Sequence, residues 1–147
     1  LQLAAARGHF TCVKHISRCC TRQVDDMNRD GLIHASINGQ TRIVAYFLKS
    51  TSLDHDLVDS ERNTCLHYAC AYGWLPIVKM YVEIDFSMLQ LQNREGLTPP
   101  VCAFRNGHFG IISWFLENGF AQFIQEDPIT EVNIKENVEE WIAAHND

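Results

Sequence analysis

The chain has 147 residues, of which 46% are hydrophobic and 20% charged, with a formal net charge of −6. That length points to one domain, the composition to a folded globular chain rather than a disordered one, and no apolar run nears the roughly 18 residues of a membrane span. The charge is uneven: residues 117–147 hold one Lys and eight acids against eleven Lys/Arg and ten acids before them, the wrong sign for a phosphate-binding surface.

No basic-then-apolar leader opens the chain, and Leu1 starts inside a motif, so the chain is expected to be a piece of a longer one. From there one pattern recurs. Gly8 in "ARGH", Gly39 in "INGQ", Gly73 in "AYGW" and Gly107 in "RNGH" are spaced by 31, 34 and 34 residues. Four residues before each glycine stands Ala4, Ala35, Ala69 or Ala103. Five after each stands Val13, Val44, Val78 or Ile112, and eight after stands Ile16, Phe47, Tyr81 or Phe115. Asp25, Asp59 and Asn93 keep the same 34-residue step. The shortfall of the first interval falls after the second apolar patch, where a loop absorbs it.

The unit around "LTPPVCAFRNGHFGIISWFLENGF" shows the physical content. Thr98 is expected to cap a helix by accepting from first-turn amides, and Pro99 and Pro100 fit positions where no N–H is needed. A short helix is predicted over about 99–106, ending at Gly107 in a tight turn. A second is predicted over about 108–117, with Ile111, Ile112, Phe115 and Leu116 on one side and Gly119 as its stop. Such a pair cannot bury both apolar faces alone, whereas stacked copies can. The in-phase alanines let neighbouring first helices approach closely.

The units "LQLAAARGH", "LIHASINGQ", "TCLHYACAYGW" and "LTPPVCAFRNGH" resemble ankyrin repeats, whose signature is a period of about 33 with T-P-L-H-x-A, a β-turn and two helices. The resemblance implies an all-α solenoid of antiparallel helix pairs with β-hairpin or turn fingers. Repeats are placed at about 1–24, 25–58, 59–92 and 93–126, the first truncated. The chain departs from the family pattern in places. Thr64 and His67 alone keep the Thr and His together, Asp30-Gly31 replaces Thr-Pro, and Asn28 and Arg62 replace the hairpin glycine kept as Gly96. Arg62 tolerates left-handed geometry poorly, so the third finger is expected to be distorted.

A fifth turn glycine would fall at position 141, which is Trp141, so the pattern is read as stopping. "NIKE" reads as a capping box from Asn133 to Glu136, with Ile134, Val138, Trp141, Ile142 and His145 on one helical face. Residues 127–147 are therefore expected to be a capping helix over the open end of the stack, with its acids as a solvated face.

Six cysteines and no C-x-x-C point to reduced thiols, and so to the cytosol or nucleus. Cys12, Cys70 and Cys102 are expected to be buried and Cys65, at the motif's proline position, partly exposed. His15, Cys19 and Cys20 form the only His/Cys cluster, poorly spaced for zinc; a thiol or metal sensor there is the minor reading. His9, His67 and His108 are read as structural. No phosphate loop, Ser/His/Asp order or metalloprotease motif occurs, so no catalytic residue, metal or cofactor is expected.

What remains is surface. The resemblance implies a concave face that binds a protein or peptide. Its finger candidates are Asp26, Met27, Arg29, Ser60, Glu61, Asn63, Arg94, Glu95 and Leu97. Its first-helix candidates are Arg7, Ile37, Asn38, Ala71, Tyr72, Arg105 and Asn106, with Tyr72 and the arginines as anchors and Ile37 as an exposed apolar contact. The expected function is a non-catalytic, monomeric interaction module without nucleic-acid or membrane partners. The alternative is the targeting domain of a larger ligase, acyltransferase or kinase.

Overall fold

The computed structural model describes residues 1–19, 24–50, 57–124 and 126–146, apart from the side chains of Cys19 and Ser50. Four helix pairs follow one another: α1 (Gln2–Ala6) and α2 (Phe10–Cys19), α3 (Gly31–Ile37) and α4 (Thr41–Ser50), α5 (Cys65–Tyr72) and α6 (Leu75–Ile84), α7 (Pro99–Arg105) and α8 (Phe109–Glu117). A last helix, α9 (Ile134–His145), packs chiefly on α8. The first helices form one row, α1 on α3 on α5 on α7, and α2, α4 and α6 form a second behind it.

Within each pair the turn has one chemistry. Gly8, Gly39, Gly73 and Gly107 all take positive φ, between 69° and 81°. The amide just after each reaches back to the in-phase alanine carbonyl: His9 to Ala4, Gln40 to Ala35, Trp74 to Ala69 and His108 to Ala103, each at 2.9 Å. This is the six-to-one bond of a Schellman stop. The phased apolar positions are the core: Val13, Val44, Val78 and Ile112 are sealed from solvent, as are Phe47, Tyr81 and Phe115. Each such side chain contributes roughly 1.5–3 kcal/mol by leaving water. Tyr81 keeps a polar tip in that core, and Ser36 answers it. The Ser36 hydroxyl donates to the Leu32 carbonyl at 2.8 Å and accepts from the Tyr81 hydroxyl at 2.8 Å.

The fingers are turns, and no strand forms among the described residues. Asp25 Oδ1 accepts from the amides of Met27 and Arg29, Asp59 Oδ1 from Glu61 and Asn63, and Asn93 Oδ1 from Glu95 and Leu97, at 2.8–3.0 Å. Successive fingers share one backbone bond each, Ser60 N–H to Met27 O at 2.8 Å and Arg94 N–H to Glu61 O at 2.9 Å. That is too little for a ladder. The distortion expected at Arg62 does not occur. Arg62 holds φ 61°, matching Asn28 at 59° and Gly96 at 78°. Left-handed backbone costs an ordinary residue about 1–2 kcal/mol; the two amides gathered by the Asp59 carboxylate offset that.

The same turn recurs at Asp127, 34 residues after Asn93, where sequence reasoning saw only the approach to a helix. Asp127 Oδ1 accepts from the amides of Ile129 and Thr130, and the Asp127 amide donates to Val132 O at 3.1 Å. The positive-φ residue is Glu131, one place later than in the other fingers. Asn133 then caps α9 by accepting from the Glu136 amide at 3.3 Å, the first half of the expected box.

Two cysteine expectations are corrected. Cys12 is exposed, although Ile43, Ile77 and Ile111 in the same register are buried; it sits on the outermost pair of the stack. Cys65 is fully buried under its neighbours, and burial pushes its thiol up to about 12. The sensor expected at His15, Cys19 and Cys20 depends on the Cys19 side chain and on Cys20, which lie outside the described residues.

The first-helix caps differ in a way that can be measured. Asp30 accepts from the Leu32 and Ile33 amides at 3.0 Å each. Thr64 and His67 form a reciprocal cap, with the Thr64 amide donating to His67 Nδ1 at 3.1 Å and the His67 amide to the Thr64 hydroxyl at 3.3 Å. Thr98 does not cap as expected: its hydroxyl is buried without a partner among the described residues. Pro99 and Pro100 bring no N–H, and Val101 has no ring nitrogen to return. Thr64→Val is therefore expected to lower stability by about 1–3 kcal/mol, and Thr98→Val to leave it unchanged or raise it by up to about 1 kcal/mol. Urea unfolding midpoints of the two variants test this; equal losses would contradict the difference in capping.

Candidate partner-binding face

Each first helix turns the same registers outward. The residue just before the turn glycine is Arg7, Asn38, Tyr72 or Asn106, and all four are exposed. Asn38 Nδ2 donates to His34 O at 2.9 Å and Asn106 Nδ2 to Cys102 O at 2.8 Å. Both amides thus cap their helix with the nitrogen and keep Oδ1 as an acceptor. One turn earlier on the same side stand Leu3, His34, Tyr68 and Cys102.

A polar relay fixes this face. The residue after each turn glycine reaches the preceding pair: Gln40 Nε2 donates to Ala6 O at 3.0 Å, Trp74 Nε1 to Ile37 O at 3.0 Å and His108 Nε2 to Ala71 O at 2.9 Å. Three different side chains make one bond. The approach is close enough that a Cβ on Gly39 or Gly73 would come within 2.6 Å of the Trp74 or His108 ring.

Between α5 and α7 the face opens into a groove of about 520 Å³, walled by Asn63, Tyr68, Ala71, Tyr72, Asn106 and His108, with His67 and Cys102 at its floor. Burial pushes the Cys102 thiol up to about 11, so it stays protonated. A second groove, of about 390 Å³, lies between α1 and α3 and is lined by Leu3, Ala6, Val24, Asp25 and His34 among others. Asp25 is tightly held there. Burial would raise its carboxyl, but the amide and guanidinium of Arg29, with His34 and the Met27 amide, bring it down to about 2. A third hollow, between α4 and α6 on the opposite helices, contains none of the expected residues.

Of the expected residues, the first groove gathers Asn63, Ala71, Tyr72 and Asn106. Arg7, Asp26, Met27, Asn38, Ser60, Glu61, Arg94 and Glu95 are exposed around it or along the same face. Four of the expected residues are less available than expected. Leu97 is buried, 6% exposed, because the finger folds it under α7, and its carbonyl accepts from His67 Nε2 at 3.0 Å. Ile37 packs against the core rather than standing free. Arg105 is engaged by Asp127, with Nε to Oδ2 at 2.9 Å and a second guanidinium nitrogen to Oδ1 at 2.6 Å. The guanidinium beside it holds the Asp127 carboxyl well below the usual range, against the effect of burial. Arg29 is likewise bound, to Asp25 at 2.8 Å. Sequence reasoning missed Tyr68, His34 and Leu3, although a step of four back from Tyr72 along the helix reaches Tyr68. Among the described residues no group of three His, Cys, Asp or Glu side chains is placed to hold a metal ion, and no helix is long and apolar enough to cross a membrane.

A family model described as "Ankyrin repeats (3 copies)" matches residues 1–87 and again 32–127. The Caenorhabditis elegans protein "Poly [ADP-ribose] polymerase tankyrase" is 44% identical over 61 residues, covering 42% of this chain and 3% of that protein. Mouse "Synphilin-1" is 28% identical over 113 residues, 72% of this chain and 12% of that protein. The chain therefore spans only a small part of either relative.

His67, at the groove floor, gives a pH signature. Its Nδ1 accepts the Thr64 amide, so the proton sits on Nε2 and goes to Leu97 O. Burial brings its pKa from the ordinary 6.5 down to about 4, against the pull of the Leu97 bond. The unfolded chain then binds the extra proton first, so stability is full above pH 6.5 and falls as pH drops from 6.5 toward 4. The loss from this group is expected to reach roughly 3 kcal/mol. Urea titrations across that range should show the slope in the native chain and not in His67→Gln; identical slopes would place His67 in water.

Proposed function

The chain belongs to the ankyrin-repeat family, and we propose that its first-helix and finger face docks a protein or peptide segment without transforming it. The observation that carries this reading is the groove between α5 and α7, where residues from two repeats converge on open space. Tyr72, 54% exposed, is its anchor, and rigid aromatic anchors supply much of the energy of protein interfaces. The backbone beneath is already held by the Trp74 and His108 bonds, so docking need not order it. Exposed finger residues Asp26, Ser60, Glu61, Arg94 and Glu95 form a rim of mixed charge. A recognition domain of a larger enzyme remains the second reading, supported by likeness to a protein named as a polymerase; in it this face does the same work and the chemistry lies elsewhere.

The test is selection of binders from a random peptide display library, followed by affinity measurement on variants. Tyr72→Ala and Asn106→Ala are expected to weaken selected peptides about tenfold or more, while Lys49→Ala and Glu83→Ala on the opposite helices leave them unchanged. Binders indifferent to the first pair, or lost with the second, would overturn the assignment of the face.

In the same reading residues 127–147 shield the outer side of the fourth pair. Ile134 and Val138 are buried, the Trp141 ring lies 5.4 Å from Phe109, and Asp127 grips Arg105. Ile134→Ala is expected to cost roughly 2–5 kcal/mol and to speed amide exchange in α7 and α8 first. Unchanged exchange there would mean that α9 serves another surface.

A further inference from the structure

Resting on that docking reading, we propose that the groove between α5 and α7 selects an uncharged carboxamide side chain, asparagine or glutamine, carried by an extended peptide. The groove's wall and floor residues include no carboxylate, ammonium or guanidinium. Two of the formal charges near the groove are engaged within the chain, and the exposed Glu95 carboxylate stands at its edge, close enough to act on Cys102 and Arg105. Arg105 is bound by Asp127, and Asp59 receives the Glu61 and Asn63 amides and the Tyr68 hydroxyl. A charged side chain entering here would lose hydration without a charged partner on the groove's own wall or floor.

The polar groups that remain have a defined sense. Asn106 spends its nitrogen on Cys102 O, so it offers an acceptor. Asn63 spends its oxygen on Asn93 Nδ2 at 2.9 Å and turns its nitrogen to the Tyr68 hydroxyl, so it has one N–H left to donate. The Tyr72 hydroxyl can do either. A carboxamide brings a donor and an acceptor together and matches this set. A carboxylate cannot donate to Asn106, an ammonium cannot accept from Asn63, and an aliphatic side chain leaves both unmet. The Tyr68 and Tyr72 rings add flat surfaces for a planar amide, and Ala71 leaves room for its methylenes.

The test uses the intact chain, labelled with nitrogen-15, and blocked pentapeptides Ac-Gly-Gly-Xaa-Gly-Gly-NH2 with Xaa as Gln, Glu, Lys or Leu. The glutamine peptide is expected to shift the signals of Asn63, Ala71 and Asn106 and to bind about tenfold better than the other three, the worth of one well-made or unmet hydrogen bond. Asn106→Leu, with its spectrum otherwise retained, is expected to erase that preference. Equal or tighter binding of the glutamate or lysine peptide, shifts confined to other residues, or no shift with the glutamine peptide would overturn the proposal. A chain that captures display-selected peptides through Tyr72 yet shows no glutamine preference keeps its docking face and loses only this selectivity. One that captures none loses both.

Discussion

First helices of five to eight residues cannot persist alone in water, and everything else in this molecule follows from that constraint. Each must find its stability in a neighbour, and the neighbour is the next copy of the same pair. Leu32 and Leu66 on the first helices, and Val44, Val78 and Ile112 on the second, lie within that shared core. Small residues at Ala35, Ala69 and Ala103 keep the first helices close, and all three are sealed from solvent. Stability is thus distributed along the stack, with no single centre to the fold.

Apolar stacking alone would leave the register between pairs loose, since hydrophobic contact has no direction. Directional bonds supply what it lacks. Gln40, Trp74 and His108 each reach the carbonyl two residues before the preceding turn glycine. At the other edge, one finger amide reaches the finger before it, and His67 ties α5 to the Leu97 carbonyl. A pair is therefore pinned to its neighbour at several points. The turn glycines Gly39 and Gly73 serve both demands, because they permit the left-handed turn and leave space for the side chain that crosses it.

Much of this was legible in the sequence because the requirements are backbone requirements that recur every 34 residues. A left-handed turn asks for Gly, a close helix approach for Ala, and a finger for Asp or Asn, so these residues fall in phase. What was not legible depends on the residue across the gap. The left-handed Arg62 looked forbidden, yet Asp59 holds the turn through two amides. Thr98 looked like a cap, yet its hydroxyl is buried without a partner among the described residues, at the head of a helix that opens on two prolines. Cys12 sits in the register of the buried Ile43, Ile77 and Ile111 and is exposed. Arg105 looked like a free anchor until Asp127, 22 residues on, took it. Asp127 itself continues the series of Asp25, Asp59 and Asn93; its turn was hidden because the expected glycine near position 141 is missing and Glu131 shifts the finger by one residue.

The same division of labour leaves one face of the first helices exposed. Bonds that hold the stack use main-chain carbonyls and the residues after the turn glycines. Residues before those glycines are not needed for stacking: Arg7, Asn38, Tyr72 and Asn106 project from a framework that is already satisfied beneath them. Substitution there changes what the groove meets and little of what supports it, whereas substitution one register away, at Trp74 or His108, disturbs the support itself. A stack built this way can vary its exposed face without renegotiating its fold, and the groove walled by Asn63, Tyr72 and Asn106 lies on that face.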